Sequence, residues 1–163
     1  MNGMIKIGMA DLNATASPGI LTTLGLGSCV GIVLYDAKNK IGGMAHIMLP
    51  SSRISTGDVV NEAKFADTAI EKLLSLMIDM GAKLTNITAK LAGGAQMFAN
   101  RNGSNDILKI GQKNTEQTLK ILHEKEIRVV SQDTGGNYGR TIELYSETGV
   151  LLIKTIGHGV KQI

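Results

Sequence analysis

The sequence predicts an α+β domain in which helices pack on a largely antiparallel sheet. Three observations carry that expectation. Apolar stretches joined by short polar turns recur along the chain, two segments have helical periodicity, and strands and helices do not alternate in a regular βαβ pattern. The 163 residues suffice for one domain with a substantial core, and no repeat, low-complexity tract or Pro/Ser linker divides residues 1–163. With 43% hydrophobic and 19% charged residues the chain has a globular composition, and with Trp absent its core must be built from Ile, Leu, Val, Met and Ala.

The elements follow in order. Residues 4–9 read as a short strand, and "NATASPGI" as a turn-rich approach to the next one. "CVGIVLYD" and "KIGGMAHIML" are two apolar strands joined by the polar turn "DAKNK", ended by Pro50 and the loop "SSRISTGD". From Val59 to Met80 the pattern becomes helical. Val59, Ala63, Ala66, Ile70, Leu73, Met77 and Met80 recur at spacings of four and three, with Asp58 as N-cap and Gly81 as stop. "LTNITAKLAGG" reads as a strand and "DILKIG" as a shorter one. Asn114 then caps a second helix, "TEQTLKILHEKE", with Leu119 and Leu122 facing inward. "IRVVSQD" resumes strand character, and "RTIELYSETGVLLIKTI" is a hairpin turning at "SETG".

Composition excludes several classes of function. One Cys cannot form an internal disulfide, which suits a reducing compartment. The N-terminus has no charged head followed by a long apolar stretch, and no run approaches the ~20 apolar residues of a membrane helix. The expectation is a cytoplasmic protein without membrane insertion. The formal charge of +3 comes from scattered Lys and Arg, and aromatic residues for base stacking are nearly missing, so no nucleic-acid partner is expected.

The chemistry-bearing stretch is "TTLGLGSCVGIVLYD", residues 22–36, which holds the lone Cys29. A phosphate-binding loop is set aside: the glycines miss the GxGxxG spacing, and a strand follows where a helix N-terminus is required. Two readings stay open on the residues alone. Cys29 is a small core residue, or it is a nucleophile. Hairpin arithmetic bears on the choice. A constant position sum of 75 puts Cys29 directly opposite His46, whereas a sum of 77 makes His46 its diagonal neighbour on the same face. A nearby imidazole would accept the thiol proton, and backbone N–H groups freed by Gly25 and Gly27 would stabilise an oxyanion. Thr23 is a candidate to orient the imidazole, although the residues alone favour an ordinary β-branched strand residue there. His123 lies on a charged helix surface and His158 near the C-terminus. One Cys and three dispersed His give no metal-ligand spacing.

Taken together, "TLGLGSCVGIVLYD", "GGMAHIMLP", "KFADTAIEKLL", "KLAGGAQMF", "IGQKN" and "DTGGNYGR", in this order, resemble the CheD family of chemoreceptor glutamine deamidases. The resemblance implies a single deamidase domain over residues 1–163, folded as a mostly antiparallel β-sandwich flanked by helices, like the deamidating domain of cytotoxic necrotising factor toxins. It implies a cytoplasmic hydrolase recruited to methyl-accepting chemoreceptors, where it converts particular glutamine side chains to glutamate with release of ammonia. Cys29 would be the nucleophile, His46 the general base and Thr23 the third member. The N–H groups around Gly27 and Ser28 would hold the oxyanion of a path through a thioester, and no cofactor is required. Binding to the CheC phosphatase is implied as well. Two other readings accompany it: a methylesterase using the same thiol, and a regulatory module that holds CheC or receptor. One departure is Lys113 in "IGQKN", where the family usually carries Arg, and Lys cannot reproduce a planar bidentate contact. Asp133 and Arg140 are candidates to pair and brace one loop, a solvated Arg being the alternative. Gly93-Gly94 and Gly135-Gly136 read as sharp turns or as points of close approach for a receptor helix.

Overall fold

The structure, a computed structural model, describes residues 3–54, 57, 61–97 and 109–163. Ten strands and two α-helices occur among them. The strands are β1 (Met4–Lys6), β2 (Asp11–Ala16), β3 (Ile20–Leu26), β4 (Val30–Asp36), β5 (Ile41–Ile47), β6 (Ile87–Gly93), β7 (Arg128–Thr134), β8 (Arg140–Tyr145), β9 (Leu151–Thr155) and β10 (Gly159–Gln162). The helices are α1 (Ala66–Asp79) and α2 (Ile110–Glu124). The architecture is α+β, as the sequence predicts, with two five-stranded sheets ordered β1-β3-β8-β9-β10 and β2-β5-β4-β6-β7. Each sheet is mixed, since one parallel pair, β1 with β3 and β6 with β7, joins otherwise antiparallel neighbours.

The β4–β5 hairpin is central because it is buried on both faces. Side chains alternate across a strand. Val30, Ile32 and Leu34 therefore face α1 and α2 in one apolar cluster, while Val33 and Met44 meet Leu21, Ile142, Leu144 and Ile153 of the other sheet. A strand buried on both sides reads as a continuous apolar run, which is why "IGGMAHI" shows no alternation. Its two glycines let neighbours approach closely. A Cβ on Gly42 would lie 2.8 Å from Leu144 Cδ2, and one on Gly43 would lie 2.7 Å from Met77 Sδ and 2.8 Å from Leu73 Cδ1. Gly43→Ala is expected to lower the urea midpoint by an amount equivalent to about 1–3 kcal/mol, the usual cost of overpacking. The helical stripe is real over Ala66, Ile70, Leu73 and Met77, all buried, each of the three large side chains contributing roughly 1.5–3 kcal/mol through burial.

Several element boundaries differ from expectation, each because a tertiary contact overrides local pattern. Helix α1 starts at Ala66, after a 3₁₀ turn over Glu62–Lys64, whereas periodicity extended it back to Val59. Phe65 is held extended (φ −114°, ψ 139°) by a bridge to Leu49, so Ala66 N–H donates to Leu49 O and breaks the helix there. Met80 is 39% exposed at the C-cap, and Gly81 (φ +111°) ends the turn. Asp58 and Val59 lie outside the described residues. Asp11–Ala16 is a strand, so the first half of "NATASPGI" is not turn, because β2 pairs residue by residue with β5, from Asp11 opposite His46 to Ala16 opposite Ile41. Ile110 and Gly111 of "DILKIG" open α2 instead of ending a strand; residues 106–108 lie outside the described ones. Asn114 is consequently inside that helix and not its cap. The short strand β10 pairs with β9 and was not anticipated.

Candidate active site

The β4–β5 register settles the hairpin arithmetic. Val30 faces Ile47, Gly31 faces His46 and Asp36 faces Ile41, a constant sum of 77. Direct opposition of Cys29 and His46, the sum of 75, is therefore corrected. The turn fixes this outcome: Asp36 Oδ1 accepts from Lys38 N and Asn39 N, both at 3.0 Å, closing a loop over residues 37–40. The ladder stops at Val30 and Ile47, so Cys29 sits just beyond it, on the same face as Gly31 and His46. That face looks into the space between the sheets. Cys29 is 8% exposed and His46 1% exposed.

Thr23 reaches the same space from the opposite sheet. It precedes an irregularity in the β3–β8 pairing between Thr23 and Leu26, where Gly25 adopts φ +69°. Its hydroxyl donates to Ile7 O at 2.7 Å and also lies 2.7 Å from His46 Nδ1. A threonine hydroxyl has one hydrogen. With that hydrogen given to Ile7 O, Oγ1 must accept from His46, so Nδ1 carries the imidazole proton. Nε2 is then the bare lone pair, and it is buried with no hydrogen-bond partner among the described residues, Cys29 included. Burial pushes the His46 imidazole below its ordinary value. Burial also pushes the Cys29 thiol up, against a smaller downward pull from its own backbone N–H. Both shifts favour the uncharged forms, a neutral thiol beside a neutral imidazole, over an ion pair.

Gly27, Ser28 and Cys29 form the loop between β3 and β4. Each of their carbonyls is fastened. Gly27 O accepts from Ala95 N at 2.8 Å, Cys29 O from Gly94 N at 2.9 Å, and Ser28 O from Asn114 Nδ2 at 3.0 Å. Their N–H groups donate to no backbone carbonyl among the described residues. The Gly93-Gly94 pair makes this closeness possible: both have positive φ, and a Cβ on Gly93 would collide with Cys29 O. Its close approach is thus to the Cys29 loop and to Gly111 of α2. Gly135 and Gly136 extend the brace, with Gly135 N donating to Gly93 O and Gly136 O accepting from Gln96 N.

Asp133 and Arg140 do pair, with Arg140 Nε 3.2 Å from Asp133 Oδ2 and Nη1 3.4 Å from Gly93 O. Tyr138 stacks on the His158 ring and also has the Arg140 guanidinium over its ring, which gives His158 a packing role at the surface. His123 is exposed at the end of α2, and Lys113 is exposed in its first turn. Among the described residues no three His, Cys, Asp or Glu side chains converge as a metal site would. Sequence reasoning missed Asn114 as a contact of the Cys29 loop. An Asn before "TEQTLKIL" has the signature of a cap, and its burial depends on α2 lying against the Gly94–Ala95 backbone.

No helix among the described residues is long and apolar enough to cross a membrane. Residues 48–155 match the family model described as CheD chemotactic sensory transduction. That match begins just after His46, but curated relatives extend over practically the whole chain. A "Probable chemoreceptor glutamine deamidase CheD" of Caldanaerobacter subterraneus is 57% identical over 161 residues, 98% of each chain. The "Chemoreceptor glutamine deamidase CheD" of Halalkalibacterium halodurans is 50% identical over 163 residues, all of both chains. A similarly named protein of Lachnoclostridium phytofermentans is 51% identical over 164 residues. The chain belongs to the CheD family.

Proposed function

We propose that the protein deamidates glutamine side chains of methyl-accepting chemoreceptors, with Cys29 as nucleophile, His46 as general base and acid, and Thr23 as the group that orients His46. The observation that carries this reading is the Thr23–His46 hydrogen bond, which leaves an unpartnered Nε2 on the same face as the thiol. Nε2 removes the Cys29 proton as the sulfur attacks the carboxamide carbon. The tetrahedral oxyanion is held by N–H groups of the Gly27–Cys29 loop, Gly27 and Ser28 among them. The imidazolium returns the proton to the departing nitrogen, ammonia leaves, and a thioester remains. Water, deprotonated by Nε2, then attacks the thioester carbonyl. The thiolate leaves and is reprotonated, and glutamate is released.

Because the resting pair is neutral, proton transfer accompanies attack. The pH dependences follow. His46 must be neutral to act, and its value lies below about 6.5, so activity rises with pH through that lowered value and stays high at neutrality. Iodoacetamide alkylation of Cys29 in the free protein is expected to rise only above the ordinary thiol value of about 8.5. A rate already at its plateau at pH 7 would contradict a neutral pair. Thr23→Val removes the acceptor for Nδ1–H and releases the tautomer. A fall in kcat of roughly 10–100-fold is expected, comparable to the cost of losing groups that orient a reacting imidazole, read as initial rates of ammonia release.

Membership in the family supports three companion proposals: one domain over residues 1–163 with the fold of the cytotoxic necrotising factor deamidating domain, a cytoplasmic location beside the receptors, and binding of the CheC phosphatase. The functional reading is tested by incubating purified protein with receptor cytoplasmic fragments and mapping receptor peptides by mass spectrometry. Glutamine-to-glutamate conversion that disappears in Cys29→Ala is expected. Conversion unchanged by Cys29→Ala would refute the assignment. Loss of methyl esters in place of amides would point to the methylesterase, and an inert protein that still binds CheC to the regulatory module.

A further inference from the structure

Asn114 is fully buried in α2, and one nitrogen of its amide serves two backbone carbonyls. Nδ2 donates to Ser28 O and to Met48 O, each at 3.0 Å. These acceptors flank the point where the β4–β5 ladder ends, since Cys29 would pair with Met48 if the register continued past Val30 and Ile47. The Asn114 amide takes the place of the missing rung. Its own Oδ1 is buried without a partner among the described residues. An unmet buried acceptor costs stability, so the side chain is poorly chosen for packing alone and well chosen for what its donors do.

The consequence lies in peptide geometry. In a planar trans peptide the C=O and N–H point in opposite directions. Ser28 C=O and Cys29 N–H belong to one such unit, and Gly27 C=O and Ser28 N–H to the one before. Tying Ser28 O to Asn114, and Gly27 O to Ala95 N, aims the next N–H in each case away from its anchor. A carbonyl that accepts a hydrogen bond also polarises its unit and strengthens the N–H as a donor. We propose that Asn114 is a positioning residue for the oxyanion site: it orients and polarises the Cys29 N–H that meets the developing negative oxygen. Gly111 lets α2 lie against Gly94 and Ala95, and Thr118 Oγ1, donating to Asn114 O at 2.8 Å, ties the next turn to it. The proposal rests on Cys29 acting as the nucleophile, but not on receptor glutamine being its substrate.

The test compares two reactions of the same thiol. Acylation of Cys29 by p-nitrophenyl acetate builds a tetrahedral oxyanion and expels p-nitrophenolate, whereas alkylation by iodoacetamide displaces iodide and builds none. In Asn114→Leu, of similar volume, acylation is expected to slow about tenfold or more while alkylation changes less than about twofold. Asn114→Ala is read by the same ratio if the Leu variant does not fold. Acylation unchanged, or acylation and alkylation falling in step, would overturn the proposal, the latter because a merely structural role moves both. Receptor deamidation is followed in parallel. A wild type that is acylated with Asn114 dependence yet leaves receptor glutamines intact would refute the substrate while the positioning role stands.

Discussion

Cys29→Ala and His46→Ala are each expected to lower receptor deamidation by about 10³-fold or more, and the double variant to be no slower than the worse single one. In the proposed mechanism the two groups act as a unit. Without the thiol there is no covalent intermediate for His46 to serve. Without Nε2 the raised thiol value leaves little thiolate at neutral pH, and nothing protonates the leaving nitrogen. Initial rates of ammonia release from a receptor fragment, measured on all four proteins, close the cycle. Additive losses would mean that Cys29 and His46 work in separate steps. Cys29 is a small side chain in the inter-sheet cluster, so Ala at that position removes one buried sulfur and leaves the fold intact.

The largest effect on stability is expected at Asp133. Arg140 is only 2% exposed, and Asp133 is its carboxylate partner. Removing one member of a buried pair strands the other charge, so Asp133→Ala is expected to cost about 3 kcal/mol. For a chain of this size that corresponds to a fall in Tm of roughly 6–12 °C. Lys161, which also meets Asp133 at 3.0 Å, is largely exposed, and Lys161→Ala should change stability by less than about 1 kcal/mol. Burial alone would raise the Asp133 carboxyl, but hydrogen bonds from Lys161 and Arg140 outweigh it and hold it below its ordinary value. A depressed folded-state value stabilises above the unfolded one. This contribution is therefore present at neutral pH and is lost as pH falls through the folded-state value, below about 4. A Tm series from pH 7 downward in wild type and Asp133→Asn checks it, the difference between them shrinking in acid. Since Arg140 also touches Gly93 O, loosening this pair reaches the strand end that holds the Cys29 carbonyl.

The central hairpin was legible because its signals are local: two apolar runs and a polar turn whose Asp36 organises the loop by itself. Even its register, a position sum of 77, was one of the two that bring Cys29 and His46 to one face. Thr23, Cys29 and His46 were legible as residue types in a motif, but the Thr23–His46 contact joins two sheets and no spacing within one strand could give it. Edge strands β2 and β10 were missed for a related reason. "DLNATA" is polar and turn-like, and becomes a strand only by pairing with β5. The start of α1 was displaced by the Leu49–Phe65 bridge, and the start of α2 by contact of Gly111 with Gly94 and Ala95. In each case a contact distant in sequence outweighed the local pattern. Asn114 shows the same limit most sharply, since local chemistry favours a cap and burial makes it a bridge.

The proposed mechanism requires a thioester between Cys29 and the former glutamine side chain. Acid quenching during turnover with a receptor fragment, followed by proteolysis and mass spectrometry, tests it directly. The expected product is a Cys29 peptide joined to the receptor peptide with loss of ammonia, cleaved by hydroxylamine and absent in Cys29→Ala. Continued conversion of glutamine to glutamate while every Cys29 peptide stays unmodified across the time course would contradict it.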